Sequence, residues 1–312
     1  MVSEASLSCR TPSVQWFGPD DLTDRRRLDA WCAGVGPVIL AGARADATRE
    51  IALHGFTFVS WNVHVGNGDL IRFVDDLRAG RWTAGHPVFD IVFLLQEVLR
   101  RGDVPVLSAG ASGAGRIRAK NRRAVDIEDV ARELGMWLAY APSMRNGKTV
   151  ADPSEDRGNA ILSTLPLADA RAVELPGERQ RRVALFARIA RGPADHVSVG
   201  VLHFDALAAR RRFWLFGSSR VRAMQAESLA AVLPEGTLAL GADLNTWRGA
   251  NEPAPKYFRR LFASTAVTID ESGPGHRSLD YMFFRAPGTS ARYRVVQDKY
   301  GSDHYPLVGW FE

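Results

Sequence analysis

The sequence predicts an α/β fold in which helices cover mixed, mostly antiparallel sheets. Two observations lead there. From residue 55 onward, short apolar runs alternate with amphipathic stretches of helical period. Two stretches, 159–202 and 279–311, hold apolar runs with no helix between them, which calls for antiparallel pairing and argues against a purely parallel doubly wound sheet. Composition agrees. With 46% hydrophobic and 24% charged residues there is apolar surface enough for a core, which excludes disorder as the main state. The 312 residues suit one large domain or two small ones at roughly 100–200 residues each.

Residues 1–50 read as an N-terminal extension packed on or preceding a domain that spans 51–312. Within it Asp20–Cys32 reads as a short helix, broken by Gly34, Gly36 and Pro37. Phe56–Trp61 is a predicted strand. Asp69–Arg78 is a predicted helix with Leu70, Phe73, Val74 and Leu77 on one face. Asp90–Leu95 reads as a buried strand and Gly102–Arg123, rich in Gly, Ser and Arg, as a loop. A helix over Asp126–Leu134 turns Ile127, Val130 and Leu134 inward. Strands are expected near 136–141, 159–163, 183–189 and 196–202. The rest is a helix over Ser218–Leu233, a strand over Thr237–Gly241, a helix over Lys256–Ala263, and strands near 279–284, 292–297 and 306–311. No internal repeat is visible.

Several classes fall away. The longest uncharged apolar run, Ala30–Ala43, is shorter than the roughly 20 residues of a membrane helix and is interrupted by Gly and Pro. Two cysteines, Cys9 and Cys32, make neither a disulfide framework nor a zinc cluster, and leave a single bridge open. The start MVSEASLSCR has no basic n-region and no apolar h-region. The sequence as it stands therefore reads as cytoplasmic, although a secreted chain whose signal had been removed would read the same. The formal charge of +5 permits anionic partners without predicting them. The basic residues are nearly all Arg, which suits phosphate recognition and equally suits codon usage in a GC-rich genome.

The chemistry gathers where strands end. Phe56–Trp61 runs into Asn62, Ile91–Leu95 into Gln96–Glu97, Val197–Leu202 into His203, and Leu238–Gly241 into Asp243 and Asn245. Asp280 lies in the run Leu279–Phe284, and Asp303–His304 precedes the last strand. Ligands of α/β folds collect outside strand ends, so these residues suit one polar cleft. Singly each has a plain reading: a turn Asn, a surface acid, an Asx-turn at Asp243, a loop histidine at His304. Together, Glu97, Asp303 and Asn62 are hard oxygen ligands suited to magnesium, while His203 and His304 titrate near neutrality. Gly66–Asn67–Gly68 is a turn rather than a dinucleotide fingerprint, because the third glycine is missing. His64 beside it reads as structural. His54, His86, His196 and His276 have no motif around them.

Trp61–Asn62, Gln96–Glu97, Gly158–Asn159–Ala160–Ile161–Leu162–Ser163, His203, Gly241–Ala242–Asp243–Leu244–Asn245, Leu279–Asp280–Tyr281 and Ser302–Asp303–His304–Tyr305–Pro306 follow one another in order. This set resembles the endonuclease/exonuclease/phosphatase superfamily over about residues 55–312. The resemblance implies a four-layer sandwich, two mixed, mostly antiparallel sheets face to face with helices outside. It implies a metal-dependent hydrolase of phosphoric ester bonds that uses Mg2+, with Mn2+ as a substitute. Glu97 resembles the main metal ligand, with Asn62 and Asp303 completing the shell. His304 resembles the catalytic histidine, paired with Asp280 by a hydrogen bond. His203 and Asn245 resemble the phosphate-binding pair, and Asp243 the residue that orients or deprotonates water. Arg181 or Arg182, ahead of the strand at 183–189, adds a phosphate contact or a solvated charge.

The resemblance implies a phosphoester substrate; the basic stretch Arg116, Arg118, Lys120, Arg122 and Arg123 reads as a phosphate-backbone track for DNA or RNA, or equally as a solvated loop. The alternatives are a sphingomyelinase-like lipid phosphodiesterase, for which exposed Phe213, Trp214 and Phe216 after Arg210–Arg212 would argue, a phosphomonoesterase, or a non-catalytic binding protein on the same fold. Trp247 is placed to meet a leaving group. Val98 stands where abasic-site enzymes carry Thr, and no lysine-rich inositol phosphate signature is present. Nothing in the sequence indicates a protein partner.

Overall fold

Two mixed sheets lie face to face, and the reason is written in how each strand divides its side chains. A computed structural model describes residues 11–18, 21–42, 50–106, 124–147, 149, 151–177, 180–193, 195–206, 214–270 and 279–312. Among them, β1 (Gln15–Phe17) adds parallel to β7 (Ala168–Leu175), followed by β8 (Arg182–Ala190), β9 (His196–His203), β10 (Leu238–Asp243) and β12 (Asp280–Arg285) in a six-stranded sheet. The second sheet has eight strands. Its order is β11 (Val267–Asp270), β13 (Ala291–Val295), β14 (Leu307–Phe311), β3 (Thr57–Asn62), β4 (Ile91–Arg100), β6 (Glu155–Ser163), β5 (Trp137–Asn146) and β2 (Ile39–Ala41). Pairing is antiparallel except at β1–β7, β9–β10, β3–β4 and β11–β13.

Every second residue of a strand faces the same side. Phe58, Val92, Leu94 and Ile161 from the eight-stranded sheet therefore meet Leu185, Val199, Val201, Ala239 and Phe284 from the other in one buried core. The alternate residues Val59, Trp61, Ile91, Phe93 and Leu95 face outward, under α2 (Leu70–Arg78) and α3 (Ile127–Leu134). On the far side Phe186, Leu202, Leu240 and Phe283 are covered by α4 (Trp214–Ala230) and α5 (Pro253–Leu261). The result is four layers, as the resemblance implies. Each large apolar side chain so buried stabilises by about 1.5–3 kcal/mol.

The helices form for local reasons. Asp69 accepts from the Arg72 N–H and Asp126 from the Glu128 N–H, each capping a helix start. Gly135 ends α3 in the left-handed conformation. Leu70, Phe73, Val74 and Leu77 are the buried face of α2, as their spacing predicts, and the Phe73 ring meets Trp61 edge-on at 5.7 Å.

The first fifty residues enter both sheets through β1 and β2, and α1 (Leu22–Cys32) is capped by Asp21. Four strands, β1, β2, β7 and β11, were not foreseen in the sequence. In β7 the inward positions are largely alanines, which leave little hydrophobic contrast to read. The strand expected at 90–95 runs on to Arg100, straight through Gln96–Glu97. Helix α4 begins at Trp214, a turn earlier than the apolar spacing suggests. No described helix is long and apolar enough to cross a membrane. The basic residues of 116–123, Arg210–Arg212, Phe213, the side chains of Trp214 and Phe216, and Cys9 lie outside the described residues. Cys32 is buried.

Candidate active site

Glu97 is aimed by a defect in its strand. β4 and β6 pair Leu95 with Ala160 and Val98 with Gly158, so Gln96 and Glu97 share the single opposing residue Asn159. Such a bulge re-aims a side chain. Glu97 carries the strain, with φ at +53°, a conformation that costs a non-glycine residue about 1–3 kcal/mol when the surroundings hold it there. Its carboxylate stays partly open at 17% exposure and its Oε1 lies 3.9 Å from His203 Nδ1.

Gly241 brings the other sheet within reach. A Cβ at this position would lie 2.7 Å from Ser60 Oγ and 2.8 Å from Leu94 Cβ. Only glycine lets β10 approach β3 and β4 so closely. Two residues on, Asp243 is thereby placed against Asn62, whose Nδ2 donates to Asp243 Oδ2 at 2.9 Å. The Asn245 N–H donates to Asp243 Oδ1 at 2.9 Å, and His203 Nε2 stands 3.4 Å from Oδ2. Asn245, also left-handed at φ +50°, donates through Nδ2 to the Phe204 carbonyl at 3.0 Å and so ties the end of β9 to the end of β10.

Burial and the neighbouring Asp280 push the Asp243 carboxyl up to about 7, against the opposing pull of His304 and of its hydrogen bonds. His203 moves the other way. Burial, then the Arg182 charge, drive it well below the usual histidine range, so it is neutral. Arg182 Nη1 lies 3.2 Å from His203 Nδ1. A guanidinium can only donate, so Nδ1 accepts and the proton sits on Nε2, facing Asp243.

His304 is the charged histidine. Its Nδ1 is 2.8 Å from Asp280 Oδ2. Burial opposes the charge, but Asp280, with help from Asp243 and Asp303, raises the imidazole to about 10. The main chain fixes its place: Ser302 Oγ accepts from the His304 N–H at 3.1 Å and itself donates to the Asn62 carbonyl at 2.6 Å. Trp61 Nε1 donates to the His304 carbonyl at 3.2 Å.

The sequence-predicted residues divide accordingly. Asn62, His203, Asp243, Asn245, Asp280, His304 and Arg182 come together. Asp303 lies at the rim, its side chain 58% exposed, with Oδ1 3.9 Å from His304 Nε2 and 3.4 Å from His64 Nδ1. Arg181 is carried elsewhere: its Nε donates to Glu174 on β7 at 3.0 Å and its guanidinium covers the Trp16 ring. Neighbouring residues on a strand point to opposite faces, which is why Arg182 reaches the cluster and Arg181 does not. His64, read as structural from the sequence, touches Asp303. Its φ of +47° and that of Val65 at +55° mark a strained turn pinned by the Asn62 side chain at 3.0 Å. Arg157 was missed. Its charge acts on both Arg182 and His203, and the one available signal was its place directly before Gly158 in the longest motif.

One group of described residues brings possible metal donors together, and the residues expected to hold magnesium lie beside it. Asp243, Asp280 and His304 bring donor atoms within 4.8 Å of one another, and Asp280 Oδ1 is buried without a hydrogen-bond partner. That seat holds a protonated imidazole, which already supplies its positive charge. Glu97 and Asp303 offer carboxylates open to solvent, and the Asn62 amide oxygen accepts only the His64 N–H among the described residues. Such hard oxygen donors with open positions fit magnesium.

Comparison with known proteins agrees with this architecture. No curated protein matches the chain. Among solved structures, an endonuclease/exonuclease/phosphatase from Beutenbergia cavernae is similar with a TM-score of 0.56 at 18% identity, over 82% of this chain and 71% of that one. The human nocturnin catalytic domain with bound sulfate gives 0.50 at 16% identity, over 84% and 96%. A family protein from Bacteroides thetaiotaomicron gives 0.51 at 14%, over 82% and 97%. The model of the endonuclease/exonuclease/phosphatase family matches residues 59–304, from within β3 to His304. The chain belongs to the endonuclease/exonuclease/phosphatase family, whose members are in general hydrolases of phosphoester bonds.

Proposed function

We propose that the chain is a magnesium-dependent phosphodiesterase acting as a nuclease. The observation that carries this reading is the split between the two histidines and Asp243 at one sheet edge. His304 is held as a cation by Asp280, His203 is held neutral by burial and Arg182, and Asp243 titrates near 7. A phosphodiester repels hydroxide, so its hydrolysis needs a base for water, donors for the developing phosphoryl charge and an acid for the departing oxygen. Asp243, ionised above about pH 7, takes the proton of the attacking water. His203 Nε2 and the Arg182 guanidinium donate to the phosphoryl oxygens, with Asn245 holding the His203 strand end in place. His304 delivers a proton to the leaving oxygen as the P–O bond breaks, and Asp280 keeps its ring oriented. Magnesium held by Glu97, with Asn62 and Asp303, supplies Lewis-acid neutralisation of the phosphate when bound.

The test is a hydrolysis panel of plasmid DNA, RNA, sphingomyelin and inositol phosphates, with and without divalent metal. The expected result is turnover of nucleic acid that EDTA abolishes and Mg2+ or Mn2+ restores. Glu97→Gln, which removes a formal charge from the metal seat, should lose turnover by orders of magnitude with the fold intact. Full turnover in excess chelator would sink the metal assignment, and turnover of sphingomyelin alone would move the activity to lipid.

A further inference from the structure

Two arginines beside the site are buried without an ion-pair partner. Arg157 and Arg182 are each 3% exposed. Arg182 Nη1 meets His203 and Nη2 donates to Gln180 Oε1 at 2.9 Å, while Arg157 Nη1 reaches only Asn146 Oδ1 at 3.3 Å. Neither has a carboxylate within 4.0 Å among the described residues. Both Nε atoms, and Asn146 Nδ2, are buried without a hydrogen-bond partner. Desolvation of a guanidinium is expensive unless an anion repays it. The two also repel each other, since each raises the cost of the other's charge. The carboxylates that act on Arg182 are Asp205, Glu97 and Asp243, none of them in direct contact with it, and Glu97 is the carboxylate assigned to the metal. A pair of cations kept together and dry with no carboxylate in direct contact has one simple complement, an anionic group brought by the ligand.

We propose that Arg157, with Asn146 as an additional donor, forms a second anion subsite, that Arg182 bridges it to the phosphate being hydrolysed, and that the preferred substrate carries a second phosphate next to that one. This rests on the phosphodiesterase reading and narrows it. A substrate whose group on that side is cationic, such as a choline headgroup, is repelled there.

Binding separates this claim from hydrolysis. In EDTA, calorimetric titration with inorganic pyrophosphate and with orthophosphate should show pyrophosphate bound at least about tenfold more tightly by the wild type. Loss of one charge-assisted contact is worth about 10–100-fold, so Arg157→Gln should erase most of that preference. Asn146→Asp is the second variant. It sets a carboxylate against Arg157 without removing the cation, so it should raise the thermal midpoint while also erasing the preference. Equal affinities in the wild type, or a preference that survives Asn146→Asp in a folded protein, would overturn the subsite. Two matched substrate pairs identify the source of the phosphate: a thymidine dinucleotide with and without a terminal phosphate, and glycerophosphoinositol with and without a ring phosphate. A kcat/KM preference for the phosphorylated member in the first pair assigns a nucleic acid, in the second a lipid headgroup, and in neither overturns the proposal. If bis(4-nitrophenyl) phosphate and the whole hydrolysis panel stay intact with Mg2+ while pyrophosphate is still preferred, the hydrolase reading fails and the anion site stands.

Discussion

Arg100 and Arg182 are both buried in strands of the sandwich, and they are treated in opposite ways. Arg100, fully buried at the end of β4, has its Nε 3.0 Å from Asp156 Oδ1, while the same carboxylate accepts from Tyr140 and from the Gly36 N–H. Arg222 on α4 meets Glu252 through Nε at 3.0 Å and Nη2 at 2.6 Å, and Arg181 meets Glu174. These charges are paired within the chain. Arg182 and Arg157, at the edge that holds the candidate site, have no such partner among the described residues. The comparison teaches where the fold is finished by its own residues and where it is left to be finished by a ligand. Left-handed non-glycine residues do not follow this division: Glu97, Asn245 and His64 flank the candidate site, but Ala84 and Asp169 lie elsewhere.

The largest expected effect lies at that edge. His304→Ala should lower turnover about 10²–10⁴-fold, the usual share of a general acid. Asp280→Asn should remove a substantial part of the same activity. The double variant should be little worse than His304→Ala alone, because a hydrogen-bonded pair acts as one unit. Losses that simply multiplied in steady-state kinetics would show two independent groups.

On the paired side the effect moves from activity to stability. Asp156→Asn leaves Arg100 charged, buried and without its counter-ion, and should cost about 3–5 kcal/mol in urea denaturation. Replacing both partners, Arg100→Met with Asp156→Leu, should recover most of that loss. Next comes Arg182→Met. Because Arg182 has no carboxylate to strand, its removal should leave stability unchanged or raise it by about 1 kcal/mol, while kcat/KM falls about tenfold or more through the lost phosphate donor. A variant destabilised as badly as Asp156→Asn would erase the distinction between the two sets of arginines.

Much of the candidate site was legible in the sequence because its residues follow strands, and a strand end is where a buried apolar run must stop. Asn62, His203, Asp243 and His304 were singled out in this way, and the structure brings them together. The layered fold was legible for the same reason, through the alternation of buried and exposed faces in strands such as β3 and β8. What was hidden has physical causes. A bulge changes direction without changing composition, so Glu97 could be named but not aimed. Arg157 follows two acids, Glu155 and Asp156, and nothing in the sequence shows that these pair with Arg101 and Arg100 on the neighbouring strand instead. Arg181 and Arg182 look alike in sequence and differ only in strand parity. The alanine-rich β7 has too little contrast to separate from a loop.

The smallest expected effect is a pH dependence that belongs to the unfinished edge alone. In the metal-free protein, burial and Asp280 raise the Asp243 carboxyl from 3.8 to about 7. The unfolded chain releases this proton near 3.8 and the folded chain only near 7, so between those values the unfolded state binds fewer protons and stability falls as pH rises. The contribution is present in full below about 3.8 and is lost by about 7. His304 acts later in the same direction, its stabilisation present below 6.5 and lost as pH rises through about 10. Asp243→Asn cannot ionise, so it removes the first of these and the Asp243 share of the second, which sets in above 6.5. Thermal midpoints of wild type and variant, measured in EDTA across the acid range, should therefore diverge, with the wild type falling relative to the variant as pH climbs toward 7. Salt bridges common to both, such as Arg100–Asp156, cancel in the difference. Parallel curves would mean that Asp243 ionises in the folded protein as it does in the unfolded one, and the base assigned to the attacking water would lose its distinguishing property.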